Sequence, residues 1–170
     1  LNVQLDIIKK DALTQVYPFA SITKGQKGLE LSDVGGLHNM VIGFSDDGRG
    51  VQSDDIMEKA MKEVKKYDSI IAAHCEVDSL APTPESEYLQ LERDLKLVKT
   101  VNVRYHMCHC STKESVNLIR QAKAAGLPVT CETAPHYLIF TDKDVKDSGN
   151  YKMNPPIRSR ADQEALIEAI

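Results

Sequence analysis

The sequence predicts an α/β protein with a parallel sheet, and it favours a (β/α)8 barrel over an open doubly wound sheet. Strand-like and helix-like segments alternate with a repeat of about 24–35 residues, which is typical of βα units. Polar residues gather where the predicted strands end, and barrel enzymes carry their sites at that edge. No glycine-rich loop follows the first strand, as a dinucleotide-binding sheet would require.

The first half of the chain contains three predicted strands and one predicted helix. Residues 13–23 (LTQVYPFASIT) and 39–45 (NMVIGFS) are apolar enough for strands, and the second ends at the turn DDG. A helix is predicted over 54–66, because Ser53 can cap it and its apolar residues lie on one face. Residues 69–76 (SIIAAHCE) form an apolar run that is typical of a strand buried on both faces.

The second half repeats the pattern. A helix is predicted over about 85–99, where apolar residues recur at helical spacing, and a third buried strand over 101–108. Ser111 and Glu114 have the spacing of a capping box for the next helix, which Gly126 ends. The last elements are a strand over 127–133 and a capped helix over 159–170, and its unbroken pattern predicts that the chain is truncated.

Composition excludes several classes of function. The 170 residues are 42% hydrophobic with a net charge of −4, which suits one globular domain and offers no basic face for nucleic acid. No apolar run reaches the ~18–20 residues of a membrane span, and no signal peptide is predicted. Cys75, Cys108, Cys110 and Cys131 lie in or beside strand-like runs, which predicts reduced thiols in a cytoplasmic protein.

Asp47, His74 and His109 are the candidate metal ligands. Each follows a different predicted strand, so parallel strands would bring them to one volume. A carboxylate and two imidazoles are ligands that zinc takes in catalytic sites. Two alternatives stay open here: a histidine at a strand end is commonly structural, and Asp46-Asp47-Gly48 is by turn chemistry alone an ordinary tight turn.

The segment YHMCHCSTKES (105–115) holds two histidines and two cysteines. His106 and His109 are three residues apart and would point to opposite faces of a strand, unless the strand bends. His109 directly precedes the helix cap and is the better ligand candidate, whereas His106 is expected to pack within or behind the strand. Cys108 and Cys110 are expected to point away from His109.

Three further polar positions are candidates for lesser roles. His136 follows a strand end and suits either a substrate contact or a structural role. In YKMNPPIRSR (151–160), two prolines would hold Asn154 and Arg158 in an extended loop. Asn154 could bond an amide or imide of a substrate, and Arg158 could equally be a surface charge. His38 lies beside two glycines and is expected at the surface.

Six ordered segments resemble the class I bacterial dihydroorotases of the amidohydrolase superfamily, across nearly the whole chain. They are YPFASITKGQKGLELSD, GFSDDG, AAHCE, YHMCHCSTKES, ETAPHYL and KMNPPIRS. The resemblance implies a (β/α)8 barrel of the metal-dependent hydrolase type, with one or two zinc ions. It also implies interconversion of N-carbamoyl-L-aspartate and (S)-dihydroorotate in pyrimidine synthesis. Residues 1–170 would then be a partial barrel domain covering roughly strands 3 to 7.

The resemblance also assigns roles to individual residues. Asp47 corresponds to the family's bridging carboxylate, which favours a ligand over the turn-only interpretation. His74 and His109 correspond to the two histidines that bind the second zinc, and Asn154 corresponds to a substrate contact. The two cysteines of the segment are not ligands in this comparison.

Several family features are absent from the sequence. The HxH motif, the arginine that follows it, the early asparagine and the final catalytic aspartate are missing, so no acid–base residue is assigned and this chain alone is expected to be inactive. Residues 77–86 form a shorter loop than relatives usually carry. Tyr137 occupies a position where many relatives have a second histidine.

Other functions remain as alternatives to dihydroorotase. One is a hydantoinase or allantoinase, which acts on a related cyclic amide. Another is a non-catalytic dihydroorotase-like subunit that scaffolds aspartate transcarbamoylase, and the last is a binding module with structural histidines. The expected partners are a small-molecule substrate and either a second copy or aspartate transcarbamoylase, with neither nucleic acid nor membrane.

Overall fold

Five parallel strands form one sheet, and they lie side by side in the order in which they occur along the chain. The computed structural model describes all residues 1–170. Neighbouring strands are joined by segments that contain helices, as parallel pairing requires. The strands are β1 (Phe19–Ala20), β2 (Gly43–Phe44), β3 (Ile70–Ala73), β4 (Arg104–Met107) and β5 (Val129–Cys131).

Seven α-helices accompany the sheet. Five of them have ten residues or more: α1, which precedes the first strand, and α3, α4, α5 and α7. The bounds are α1 (Asn2–Asp11), α2 (Val34–Leu37), α3 (Asp54–Lys66), α4 (Pro84–Val101), α5 (Lys113–Ala124), α6 (Pro135–Ile139) and α7 (Arg160–Ala169). None of these helices has the length and apolar character needed to cross a membrane.

The core lies between one face of the sheet and the helices that connect its strands. Tyr105 and Met107 alternate along β4 and are buried on this face together with Ile71 of β3. Met61 of α3 and Leu91 of α4 belong to the same buried cluster. Side chains alternate along a strand, so Arg104 and His106, the other two residues of β4, belong to the opposite face of the sheet.

Register brings the carboxyl ends of the strands to one edge. Phe44 of β2 pairs with Ile71, Ile71 pairs with Tyr105, and Tyr105 pairs with Val129 of β5. The residues that directly follow β2, β3 and β4 are therefore neighbours, although the paired residues Phe44 and Ile71 are 27 positions apart and Ile71 and Tyr105 are 34 positions apart. The sheet thereby places the predicted polar strand ends together.

The strands are shorter than the sequence predicted. Of residues 13–23 only Phe19 and Ala20 are in a strand, and of residues 39–45 only Gly43 and Phe44. The apolar composition led to an overestimate of the lengths of these strands. Residues 12–17, for example, are exposed and pair with no other strand. The later strands were placed correctly but extend less far than 69–76, 101–108 and 127–133.

The helix ends follow the predicted chemistry with one exception. The Ser53 hydroxyl accepts from the Ile56 N–H to cap α3, and Ser159 and Asp162 form a capping box at α7. The predicted cap at Ser111 is wrong, because Thr112 caps α5 by accepting from the Ser115 N–H at 3.2 Å. Ser111 instead contacts a buried carboxylate, which is described below.

Candidate metal centre

Three polar side chains meet at the carboxyl edge of the sheet. Asp47 lies in the turn after β2, His74 directly follows β3, and His109 lies just after β4. Nδ1 of His74 is 3.0 Å from Nε2 of His109, and Nε2 of His109 is 3.3 Å from Oδ1 of Asp47. Nδ1 of His74 lies 3.8 Å from the same carboxylate oxygen.

These separations fit one tetrahedral cation. With bonds of about 2.0–2.1 Å, two ligand atoms of a tetrahedral zinc lie about 3.4 Å apart. The three measured distances are 3.0, 3.3 and 3.8 Å, on both sides of that value. Asp47 and His109 line an open cavity, through which water or a substrate could reach a cation held by these three side chains. The donor set and its geometry therefore suit a divalent metal.

His74 is held in one orientation by Glu76. Its side chain is buried, and its Nε2 lies 2.5 Å from Oε2 of Glu76. Burial alone would raise the pKa of Glu76, but the hydrogen bonds from His74 and Asn154 outweigh it and lower that pKa. An ionised Glu76 only accepts hydrogen bonds, so Nε2 of His74 carries the proton and Nδ1 offers its lone pair to the site.

His109 reaches the site because the backbone bends there. Its φ is +39°, in the left-handed region that non-glycine residues rarely adopt. The neighbouring backbone is fixed on both sides, since the Cys108 N–H donates to Ala73 O at 3.0 Å and the Cys110 N–H to Glu132 O at 2.7 Å. The backbone therefore does bend after β4, which was the condition under which both His106 and His109 could face the same side. The local sequence gives no signal for this bend.

Glu87 of α4 supports the loop that carries His109. Its buried carboxylate accepts hydrogen bonds from the backbone N–H groups of Ser111 and Thr112, each at 3.1 Å, and from the Ser111 hydroxyl. Arg158 also donates to the Ser111 hydroxyl oxygen, at 3.1 Å. Glu87 was not among the predicted functional residues. The signal available was an acidic residue at a position of α4 that belongs to the buried face.

The adjacent acids Asp46 and Asp47 have different roles in the turn. Asp46 is buried and accepts from the Thr23 N–H at 3.1 Å, and its carboxylate also contacts the Thr23 hydroxyl. The Arg49 N–H donates to Asp46 O at 3.0 Å, which forms the predicted tight turn. Asp46 thereby anchors the turn after β2 and leaves Asp47 directed at the two histidines.

Asn154 lies beside the three candidate ligands. Its Nδ2 donates to Oε2 of Glu76 at 2.6 Å and lies 3.4 Å from Nε2 of His74. Its amide nitrogen therefore supports Glu76, while its Oδ1 is the atom that remains for a substrate N–H. Arg158 is not a free surface charge, because Nη1 donates to Pro82 O at 2.7 Å.

His136 and His38 are not among the three candidate ligands, and the ring of each packs against a tyrosine. His136 lies in the first turn of α6, and its ring packs on Tyr137 with centroids 4.1 Å apart. Burial, with His109 nearby, lowers the pKa of His136, so its imidazole is neutral at neutral pH. His38 is half-buried rather than free at the surface, and its ring stacks on Tyr67 with centroids 4.3 Å apart.

The cysteines do not join the cluster of Asp47, His74 and His109. All four are free, and Cys75 and Cys110 are buried. Cys108 lines the same open cavity of about 790 Å³ as Asp47 and His109, so the expectation that it points away from this region is wrong. Because the backbone bends at His109, just after β4, Cys108 and His109 both line the cavity. His106 lies on the face opposite the helices, where its Nδ1 is 2.8 Å from Oγ1 of Thr130.

Comparisons with known proteins identify the family. Residues 2–85 match the family model described as dihydro-orotase-like. The whole chain is 43% identical to a dihydroorotase of Fusobacterium nucleatum and spans 44% of it. A dihydroorotase of Geobacillus thermodenitrificans is 45% identical over 96% of the chain, which spans 43% of that protein. The chain thus spans less than half the length of these curated relatives.

Solved structures show the same fold at lower identity. A dihydroorotase from Campylobacter jejuni superposes with a TM-score of 0.76 at 18% identity, over 97% of this chain and 51% of that one. An L-hydantoinase from Arthrobacter aurescens gives 0.74 at 23% identity, over 87% and 39%. Both are TIM barrels, and the five-stranded parallel sheet corresponds to part of such a barrel. The chain belongs to the dihydroorotase-like family, and membership of that family implies a metal cofactor.

Proposed function

We propose that the protein containing this chain is a zinc-dependent cyclic amide hydrolase, a dihydroorotase. It would interconvert N-carbamoyl-L-aspartate and (S)-dihydroorotate in de novo pyrimidine synthesis. The observation that carries the proposal is the approach of Asp47, His74 and His109 to within 4.8 Å of one another. The identity of 43–45% to curated dihydroorotases supports the choice of substrate.

Zinc is proposed because of the donor set. Two neutral imidazoles and one carboxylate are typical zinc ligands, whereas magnesium and calcium prefer oxygen ligands alone. Asp47, His74 and His109 are the proposed ligands. One ion fits the three donors found here, and a second would need donors from outside this chain, with Asp47 as the shared carboxylate.

Different residues of the chain would have different roles in opening the substrate ring. A divalent cation here would polarise a carbonyl and lower the pKa of water from about 15.7 to about 7. His74 and His109 orient toward that position, with Glu76 retaining the proton on Nε2 of His74. Oδ1 of Asn154 would accept from a ring N–H and orient the substrate. No residue in this chain is assigned to carry the proton to the leaving nitrogen.

We propose that residues 1–170 form one partial barrel domain and need further strands for turnover. A (β/α)8 barrel typically takes about 250 residues, and this sheet has five strands. The test is hydrolysis of dihydroorotate by purified 1–170 with zinc, against a full-length relative. Loss of at least about a hundredfold in kcat/KM is expected. Turnover within about tenfold of the relative would contradict the proposal.

A second candidate is a hydantoinase-type cyclic amidase. The fold similarity to hydantoinases favours it, since several solved hydantoinases superpose on most of this chain. Assays of dihydroorotate, hydantoin and allantoin on the protein that contains this chain separate the two. A dihydroorotase prefers dihydroorotate, and a preference for hydantoin or allantoin would replace the first proposal.

A non-catalytic subunit that scaffolds aspartate transcarbamoylase is the remaining alternative. Retention of Asp47, His74 and His109 in ligand geometry favours an enzyme over this role. Elemental analysis of the protein containing this chain distinguishes them, because a scaffold would be free of zinc. We also propose a cytoplasmic location and assembly as a homodimer or with aspartate transcarbamoylase. Light scattering with and without the transcarbamoylase tests the assembly.

A further inference from the structure

A second group of metal-binding side chains lies on the same side of the sheet. His106 and Cys108 are two residues apart, so they lie on one face at the end of β4. Glu132 follows β5, whose Thr130 pairs with His106. One ligand atom from each of His106, Cys108 and Glu132 lies within 4.8 Å of the others. None of the three belongs to the cluster of Asp47, His74 and His109.

The orientation of His106 favours metal binding. Its Nδ1 is 2.8 Å from Oγ1 of Thr130, and its Nε2 is 3.7 Å from Oε2 of Glu132. With the proton of the neutral ring on Nδ1, donated to Thr130, Nε2 presents its lone pair toward Glu132 and Cys108. A hydrogen bond on the far ring nitrogen is the usual way in which proteins orient a ligating histidine.

The chemistry of the donors determines which cation they would bind. A thiolate, an imidazole and a carboxylate are softer together than two imidazoles and a carboxylate, and thiolate selects zinc and other thiophilic ions over magnesium or calcium. The thiolate and the carboxylate bring two negative charges, which balance a divalent cation. Cys108 and Glu132 are not buried, so small side-chain rotations can bring the donors to bonding distance.

We propose that His106, Cys108 and Glu132 form a second binding site, for one thiophilic divalent cation such as cadmium or zinc. As the sulfur–cation bond forms, the thiol proton of Cys108 passes to solvent. The fourth position is left to water. Cys108 and Glu132 line the same cavity as Asp47 and His109, so the two sites are neighbours that share no ligand. This proposal is independent of the proposed hydrolase activity.

Cadmium titration of the 170-residue protein, in a reductant without thiols, tests the site. The readout is the thiolate-to-cadmium charge-transfer absorption, which reports sulfur ligation and is silent for the site of Asp47 and the two other histidines. We expect a band that saturates at one cadmium per chain. Cys108→Ser should abolish it, and the matched variant Cys131→Ser, which removes an exposed thiol on the adjacent strand, should retain it.

Two further variants keep the test decisive if Cys108→Ser fails to fold by circular dichroism. Glu132→Gln removes a ligand, and Thr130→Val removes the hydrogen bond on Nδ1 of His106. Both positions are exposed, and each variant should weaken cadmium binding by about tenfold or more. Absence of the band from the parent chain, its persistence in folded Cys108→Ser, or unchanged affinity in both Glu132→Gln and Thr130→Val would overturn the proposal.

Discussion

Nδ1 of His74 and Nε2 of His109 lie 3.0 Å apart, although 35 positions separate the two residues in the sequence. Adjacent parallel strands bring them together, and two supports fix their rings. Glu76 orients the His74 ring through a hydrogen bond with Nε2. The positive φ of His109 turns its imidazole toward Nδ1 of His74. Both imidazoles thereby direct one nitrogen to a volume that Asp47 also faces.

The first prediction concerns direct ligands. His109→Ala should reduce zinc affinity by at least about a hundredfold, because one of three protein ligands is lost. Isothermal titration with zinc measures this in the 170-residue protein. His38→Ala is the matched control, since His38 stacks on Tyr67 and is not one of the three candidate ligands. Equal affinities of the two variants would exclude His109 as a ligand.

The second prediction concerns the support of His74. Glu76→Gln should weaken zinc binding by about ten- to a hundredfold, because a neutral amide no longer fixes the tautomer of the ring. The same titration measures it. Asp78→Asn serves as the control, because it removes an exposed carboxylate two residues away. If Glu76→Gln binds zinc as tightly as Asp78→Asn, Glu76 does not orient the ligand.

The third prediction concerns the buried carboxylate beneath the His109 loop. Glu87→Ala should lower the free energy of unfolding by about 3 kcal/mol or more, since it leaves the N–H groups of Ser111 and Thr112 buried without acceptors. Urea denaturation provides the measurement. Glu85→Ala, an exposed position on the same helix, should change stability by about 1 kcal/mol at most. A loss no larger at Glu87 than at Glu85 would contradict the proposed support.

The fourth prediction is a pH dependence. Burial raises the pKa of Asp94 to about 6, although the Arg93 guanidinium and the Tyr105 hydroxyl favour its charged form. The folded state therefore holds this proton more tightly than the unfolded state, and stability falls as pH rises from about 4 to about 6. A shift of about two pH units corresponds to roughly 3 kcal/mol.

Comparison with Asp94→Asn isolates this contribution. The variant lacks the titration, so the stability of the parent chain relative to the variant should decline by about 2–3 kcal/mol between pH 4 and pH 7. Urea denaturation at four pH values measures the difference. Asp55→Asn, an exposed acid of α3, should give a curve parallel to the parent. A parallel curve for Asp94→Asn would instead show that Asp94 has an ordinary pKa.

Sequence patterns predicted the order and type of the main elements, because helix caps and apolar periodicity are local. The capping residues Ser53 and Ser159 and the terminating Gly126 were placed correctly. Strand lengths were not predicted well, since a strand extends only as far as its neighbours pair with it. Residues 13–18 show this, because they are strand-like in composition and remain outside the sheet.

The candidate site was predicted in part. Strand ends identified Asp47, His74 and His109 as neighbours, because parallel strands in register bring their carboxyl ends to one edge. Glu87 and the positive φ of His109 could not be predicted, since both depend on how α4 packs against the loop after β4. Neither the fixed role of Glu76 nor the orientation of Cys108 toward the cavity follows from local sequence.

The most direct test of the account is the position of a bound zinc ion. Anomalous X-ray diffraction from crystals grown with zinc would locate it. We predict one ion about 2.0–2.2 Å from Nδ1 of His74, Nε2 of His109 and a carboxylate oxygen of Asp47. Zinc bound elsewhere, with these three side chains making no contact to it, would contradict the account.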